Sequence, residues 1–95
     1  MKINFVTNIF EGMTDAGERP DLAPGSAQWT EEGSSQSLIF ICPCGCGKVR
    51  SVPVKGQQKW DWDGNKELPT LTPSILIIGE CHWHGFLTAG EWRTC

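Results

Sequence analysis

The stretch that decides the fold is LIFICPCGCGK, residues 38–48. Its apolar first half predicts a buried strand. The second half places Cys42, Cys44 and Cys46 at alternate positions, with Pro43 to direct the chain and glycines that tolerate a sharp bend. A strand that runs into such a turn is typical of a metal-binding knuckle.

A second group of soft ligands lies in CHWHG, residues 81–85. The spacing of Cys81 and His84 lets both side chains converge on one ion from a single turn. Structural zinc sites take four ligands in a tetrahedron, with four cysteines or three cysteines and one histidine favoured. The sequence therefore predicts one zinc ion bound by both groups. His82 is a weaker candidate than His84, because adjacent residues seldom bind one ion without strain.

The sequence leaves open which two of the first three cysteines bind. Cys44 with Cys46 is favoured, because Gly45 between them permits the tightest bend. Cys42 would then continue the apolar alternation into the core. The alternative pair, Cys42 with Cys46, makes a wider loop around the ion. Cys95 is expected to take no part, because chain ends fray.

Length and cysteine count support a metal over disulfides. A chain of 95 residues is expected to form a single domain, 1–95, whose thin core needs an added staple. We expect no signal peptide and no membrane span, because the N-terminal apolar run is short and interrupted. That predicts a reducing, cytoplasmic setting. In such a setting five cysteines are expected to be metal ligands and remaining free thiols, and not a disulfide framework.

The chain alternates short apolar segments with loops and shows no helix of ordinary length. The predicted class is mainly β: a small zinc-stapled antiparallel sheet or sandwich, zinc-ribbon-like or Rieske-like, with a metal-binding core at 38–92. A long irregular loop is expected at 11–27, which is rich in Gly, Pro, Asp and Ser. Strands are predicted in six segments: 2–10, 36–42, 48–54, 58–65, 74–79 and 85–94, the last as a hairpin turning at Ala89-Gly90.

The function predicted from these residues is non-catalytic. A shell of three cysteines and one histidine leaves no open position on the ion, and no Ser-His-Asp arrangement or phosphate loop is visible. A net charge of −3 disfavours nucleic acid as a partner. Core packing is the favoured role for Trp60 and Trp62. Five tryptophans are more than a thin sheet readily buries, so binding to another protein is also expected, with Trp29, Trp60 and Trp62 as the candidates for an exposed contact. The prediction is a zinc-binding β module that acts through protein–protein interaction.

Three segments together resemble a known family: CPCGCG, then PTLTPSI at residues 69–75, then CHWHG. The family comprises small bacterial and phage proteins, often labelled ammonia monooxygenase without supporting chemistry. The resemblance covers residues 38–92 and implies Cys42, Cys44, Cys46, Cys81 and His84 as metal ligands. Some members lie beside bacterial ubiquitin-like conjugation genes. That implies an adaptor role. The expected partner is a host protein or a ubiquitin-like conjugation component, and the expected origin is a phage or a mobile element.

Two alternatives remain at this point. CHWHG also resembles the second ligand box of Rieske iron–sulfur proteins, which implies a redox component with a 2Fe-2S cluster. The first Rieske box requires a histidine that this chain lacks upstream, so zinc is preferred. The other alternative is a zinc ribbon that binds nucleic acid, which the acidic balance disfavours.

Overall fold

Two four-stranded sheets make up the structure, a computed structural model that describes residues 1–56, 60–79 and 81–95. We call them sheet 1 (β1 to β4) and sheet 2 (β5 to β8), each with its strands in sequence order. All pairs are antiparallel except β1 with β2, which is parallel. The strands are β1 Asn4–Phe5, β2 Ser26–Glu32, β3 Ser35–Ile41, β4 Val49–Lys55, β5 Asp61–Trp62, β6 Leu71–Ile77, β7 Trp83–Thr88 and β8 Glu91–Thr94.

The two sheets share one hydrophobic core, as in a sandwich. Alternate residues of each strand point inward, so each sheet contributes one face. Sheet 1 supplies Ala27, Leu38, Phe40, Cys42, Val52 and Val54, and sheet 2 supplies Leu71, Ile75, Ile77, Trp83, Leu87 and Trp92.

Trp92 joins the core to the start of β2. Its indole Nε1 donates to the Gly25 carbonyl over 3.0 Å, and its ring packs 4.7 Å from that of Phe40. Gly25 has a φ of +81°, and a Cβ there would lie only 2.7 Å from the Trp92 ring. Only glycine fits this crossing of the chain over the tryptophan.

The outer side of sheet 1 is covered, and we call it the covered face. Ile39 and Ile41 of β3 pack there against Ile9 in a second cluster, with Val6 and Leu22. The covering segment, residues 6–22, is anchored by hydrogen bonds. The Gln28 Oε1 accepts from the backbone N–H of Ile9 over 2.7 Å, and Arg19 donates to the Ile9 carbonyl over 2.8 Å. β3 is therefore apolar on both sides, which explains its unbroken apolar run.

The outer side of sheet 2 carries exposed side chains, and we call it the open face. β7 alternates strictly between buried and exposed residues. Its exposed members include His84 and Phe86, and β6 adds Leu76 beside them. Gly85 between them is buried, and a Cβ there would overlap the Arg93 carbonyl and the Trp83 ring.

The predicted all-β class is confirmed: the described residues form strands, turns and loops without a helix. The predicted hairpin is also present, since Thr88 pairs with Glu91 across Ala89-Gly90. β1 is much shorter than predicted, and β2 was not predicted at all. Of the strand predicted at 58–65, only Asp61–Trp62 is present, and residues 58 and 59 lie outside the described residues. Within the part of the chain that the structure describes, no helix is long and apolar enough to cross a membrane.

Candidate metal centre and serine–histidine site

The fold brings four cysteines together at one end of the sandwich. The Sγ atoms of Cys42, Cys44, Cys46 and Cys81 all lie within 4.8 Å of one another. The Sγ of Cys42 is 3.3 Å from that of Cys44 and 3.6 Å from that of Cys81. Four sulfurs bound to zinc in a tetrahedron are about 3.8 Å apart, given a Zn–S bond of about 2.3 Å. The spacing therefore fits a four-thiolate metal site.

Local backbone bonds shape the knuckle that supplies three of these ligands. The Cys42 carbonyl accepts from the N–H of Gly45 over 3.1 Å, and the Cys42 N–H donates to the Lys48 carbonyl over 2.9 Å. Gly45 and Gly47 both have positive φ, at 92° and 82°. These bonds close a compact turn whose side chains point to one side, toward Cys81 before β7.

The geometry brings all three cysteines of the knuckle, and not two of them, close to Cys81. Cys42 is fully buried in the core and also belongs to the cysteine group, so all three cysteines of the knuckle converge with Cys81. His84 is not a member of this group. The four-ligand set of Cys44, Cys46, Cys81 and His84 is therefore not the set that the fold assembles. Four thiols close together provide ligands for a metal ion such as zinc.

Arg50 of β4 sets the electrostatics of the cysteine group. Its Nη2 donates to the Cys81 Sγ over 3.1 Å, while its Nε is buried without a hydrogen-bond partner. Burial raises the pKa of the Cys81 thiol, but the hydrogen bond from Arg50 and those from the neighbouring cysteines outweigh it and lower that pKa to about 7. Burial raises the pKa of the Cys42 thiol. A guanidinium beside thiolates offsets the negative charge that a metal–thiolate centre accumulates.

His84 makes its contact on the open face, with a serine. Its Nε2 lies 2.9 Å from the Oγ of Ser74. Ser74 belongs to β6 and is half-buried, and His84 belongs to β7 and is exposed. A serine hydroxyl within hydrogen-bond reach of an imidazole nitrogen is the core of a nucleophile–base pair.

A bulge in β6 positions Ser74 for this contact. Leu71 pairs with Leu87 and Ile75 pairs with Gly85. Three residues of β6, 72–74, therefore stand opposite the single residue Phe86 of β7, so β6 has two residues more than a regular ladder. Bulges re-aim side chains and recur beside active sites.

Trp60 fixes the backbone at the same place. Its indole Nε1 donates to the Ser74 carbonyl over 3.3 Å, and its own N–H donates to the Pro53 carbonyl of β4 over 2.8 Å. The indole is half-buried against the core. Trp60 thus ties the bulge to the edge strand of sheet 1, a structural role for a residue that the sequence offered as an exposed contact.

Ser74 was not predicted as a functional residue, and His84 was predicted to bind the metal. The C-x-x-H spacing was the misleading signal. On a strand that begins between the two residues, Cys81 stays at the knuckle while His84 points to the open face. His82 is exposed, and no ligand group or hydrogen bond within the described residues includes it.

The fold and its two sites define a small all-β domain that combines a serine–histidine pair with a four-cysteine cluster. The family model described as "Bacterial ubiquitination-like system serine protease (BubE)" matches residues 14–95. The chain belongs to this family. No curated protein and no solved structure matches it significantly.

Family membership corrects the function predicted from the sequence. The prediction of a non-catalytic module was wrong, because the family is one of serine proteases. The closed metal shell was taken to mean that no chemistry occurs. A closed shell excludes chemistry at the metal alone, and the contact between Ser74 and His84 lies on another face. Neither the Rieske alternative nor the nucleic-acid alternative gains support from the match.

Proposed function

We propose that this domain is a serine peptidase of a bacterial ubiquitination-like system, with Ser74 as the nucleophile and His84 as the general base. The observation that carries the proposal is the 2.9 Å contact between the Ser74 Oγ and the His84 Nε2. Among the described residues, no other serine hydroxyl contacts a histidine ring.

The reaction follows the logic of acyl transfer. The Ser74 Oγ attacks the scissile carbonyl carbon while its proton passes to the His84 Nε2, which requires the other ring nitrogen to carry the imidazole proton. Collapse of the tetrahedral intermediate breaks the C–N bond, and the imidazolium returns the proton to the leaving amine. Water then attacks the Ser74 ester with His84 again as the base, which releases the acid and restores the serine.

The two strands give this pair a defined geometry. Ser74 is fixed by the bulge and by the bond from Trp60. His84 is fixed by the β7 ladder on both sides, with Leu76 opposite it on β6 and its carbonyl accepting from the Cys95 N–H over 2.9 Å. A catalytic pair on packed strands is more precisely held than one on loops.

The four cysteines serve the peptidase by stabilising its fold. In this proposal Cys42, Cys44, Cys46 and Cys81 hold one zinc ion, and four thiolates close its shell. The ion supplies a cross-link between the end of β3 and the start of β7. Cys81 lies just before β7, the strand that contains His84. The cross-link therefore also fixes the start of the strand that carries the general base.

The substrate in this proposal is a protein component of the conjugation system, which the family description supports. The resemblance to the CPCGCG family of bacterial and phage proteins stays a prediction, as does an origin in phage or mobile elements. Of the segments that carry that resemblance, PTLTPSI contains Ser74 and CHWHG contains His84.

Covalent labelling tests the proposal directly. Diisopropyl fluorophosphate should add one phosphoryl group to the wild-type protein, detected by intact-mass spectrometry and mapped to Ser74 by peptide sequencing. Ser74→Ala should abolish labelling, and His84→Gln should slow it by about 10²–10⁴-fold, the range that a general base supplies.

Matched controls are available on the same chain. Ser37→Ala removes another strand serine, and His82→Gln removes the other histidine, so both should label at the wild-type rate. Undiminished labelling of Ser74→Ala would overturn the assignment of the nucleophile. Equal labelling of His84→Gln and wild type would overturn the assignment of the base.

A further inference from the structure

The open face presents an apolar surface around the serine–histidine pair. Leu76 is 55% exposed and Phe86 is 42% exposed. Leu76 stands directly opposite His84 in the β6–β7 register, and Phe86 follows His84 by two residues on β7. Phe86 also stands opposite the bulge segment that contains Ser74. The pair is thus flanked by a large apolar side chain on each side.

These apolar residues stand where a solvent-facing strand normally places polar ones. Ile78, just beyond β6, extends the same side of the chain and is 71% exposed. Scattered apolar side chains on a surface need no explanation, but a contiguous group marks a binding site. Here Leu76 and Phe86 stand beside the proposed nucleophile and base in the strand register, so their occupant is the substrate chain that carries the scissile bond.

We propose that Leu76 and Phe86 select a substrate segment with a large aliphatic or aromatic residue at one of the two positions before the scissile bond. This inference rests on the proposed peptidase function. The scissile carbonyl must reach about 3 Å from the Ser74 Oγ. Each residue of an extended chain adds about 3.3 Å. A side chain one or two residues away therefore falls on the flanking leucine or phenylalanine.

Charged side chains lie at the margins of this surface. Asp61 of β5 stands opposite Thr72, and Arg93 of β8 stands opposite Phe86. Neither takes part in an ion pair within the described ranges. They define the competing specificities: Asp61 would attract a basic residue and Arg93 an acidic one. The apolar side chains are adjacent to the pair itself, which favours an apolar residue over both.

Peptidyl diphenyl phosphonates test this specificity, because a serine nucleophile attacks their phosphorus, displaces phenol and forms a phosphonate ester at a rate that depends on the peptide residues. One series varies the last residue and a second varies the residue before it, each with Leu, Phe, Ala, Lys and Glu. The readout is the second-order rate of Ser74 labelling by intact-mass spectrometry. In one of the two series, Leu and Phe should react at least about tenfold faster than Ala, Lys and Glu, the scale of a small apolar pocket.

Variants then assign the preference to the surface. Leu76→Ser and Phe86→Ser should each reduce the preference for Leu and Phe over Ala to less than about threefold. Phe10→Ser is the matched control, because Phe10 is also an exposed phenylalanine, at 47%, but lies in the covering segment of sheet 1. It should keep the full preference. Circular dichroism melting curves confirm that each variant is folded.

The outcomes separate this inference from the function on which it rests. Diisopropyl fluorophosphate, which contains no peptide, reports on Ser74 alone. If it fails to label Ser74, the peptidase proposal falls and this inference falls with it. If it labels Ser74 while the phosphonates show no preference, or favour Lys or Glu, the peptidase stands and the apolar specificity is wrong.

Discussion

The outer faces of the two sheets differ in what lies on them. The covered face of sheet 1 carries Ile39 and Ile41, which residues 6–22 shield from solvent. The open face of sheet 2 carries Leu76, Phe86 and the serine–histidine pair. Both faces are partly apolar. Within the described residues, a chain segment covers the first face, and the proposed peptidase function accounts for the exposure of the second.

The difference is visible in the strands themselves. β3 is apolar without interruption from Leu38 to Ile41, because both of its sides are buried. β7 alternates, because one side packs in the core and the other meets solvent. A continuous apolar run therefore marks a strand that is buried on both sides, and alternation marks a strand with one face open to solvent.

The largest expected effect comes from removing the link between the two sheets. Cys42→Ser, or removal of the metal with a strong chelator, should abolish the cooperative transition in which the two sheets unfold together. A structural zinc can contribute on the order of 10 kcal/mol of folding free energy. The measurement is thermal melting with zinc content by plasma emission spectrometry.

Cys95→Ser is the control for this prediction, because Cys95 is exposed and lies outside the cysteine group. It should bind zinc and melt as the wild type does. An equal Tm with and without chelator would show that the cysteine cluster does not staple the sheets.

A pair of truncations compares the faces directly. Ile41→Ala on the covered face should lower the free energy of unfolding by about 2–5 kcal/mol, because it leaves a cavity at a fully buried site. Phe86→Ala on the open face should change it by no more than about 0.5 kcal/mol. Urea denaturation measures both. Equal losses would mean that the open face is packed against something in solution.

Substitution of Arg50 should weaken the metal cross-link between the sheets less than loss of a cysteine ligand does. Arg50→Met keeps the aliphatic stem but removes the donor to the Cys81 Sγ, so we expect zinc affinity to fall by about 10–100-fold, as for other groups that support metal ligands. Competition with a chromophoric chelator measures the affinity. Arg50→Lys keeps the charge and should retain part of it. Unchanged affinity in Arg50→Met would remove this arginine from the metal centre.

The smallest effect is expected from loosening the cover alone. Arg19 bonds to the Asn8 and Ile9 carbonyls and pairs with Asp21. Arg19→Met should speed amide hydrogen exchange in residues 6–22 and leave exchange in β6 and β7 unchanged, as measured by mass spectrometry. Faster exchange in β7 as well would show that the two faces are coupled.

Acid should weaken the ion pair between Arg19 and Asp21. The hydrogen bond from Arg19 lowers the pKa of the Asp21 carboxyl below its ordinary value of 3.8. The pair therefore supports the cover fully above that value, and the support is lost as the pH falls through the lowered pKa. Relative to the intrinsic exchange rate at each pH, protection of residues 6–22 should fall in this acid range for the wild type and not for Arg19→Met.

The sequence predicted what depends on local spacing. The buried strand, the hairpin at Ala89-Gly90 and the knuckle with Cys42, Cys44 and Cys46 all follow from residues that are neighbours in the chain. The choice among Cys42, Cys44 and Cys46 did not, because it depends on how the knuckle meets Cys81. The cover could not be predicted either, since Val6, Ile9 and Leu22 are scattered over an irregular segment.

The serine–histidine pair was out of reach for a related reason. Ser74 and His84 meet only in the particular register of β6 and β7, and that register includes a bulge of two residues. No sequence motif in the chain predicts this register. β2 was missed because Gln28 and Thr30 break its apolar pattern, although its Ala27 is fully buried.

The bulge has a consequence for how such a site can arise. Because successive side chains of a strand point to opposite sides, an insertion of one residue would move every later side chain of β6 to the opposite face of the sheet. Two residues restore the order, so Leu71 and Ile75 both still point inward. An inert sandwich can therefore gain a reactive position by duplicating a dipeptide in one strand, with its interior untouched. The same step in reverse, a deletion of two residues from the bulge, would leave the inward-facing residues of β6 in place and remove the contact between Ser74 and His84.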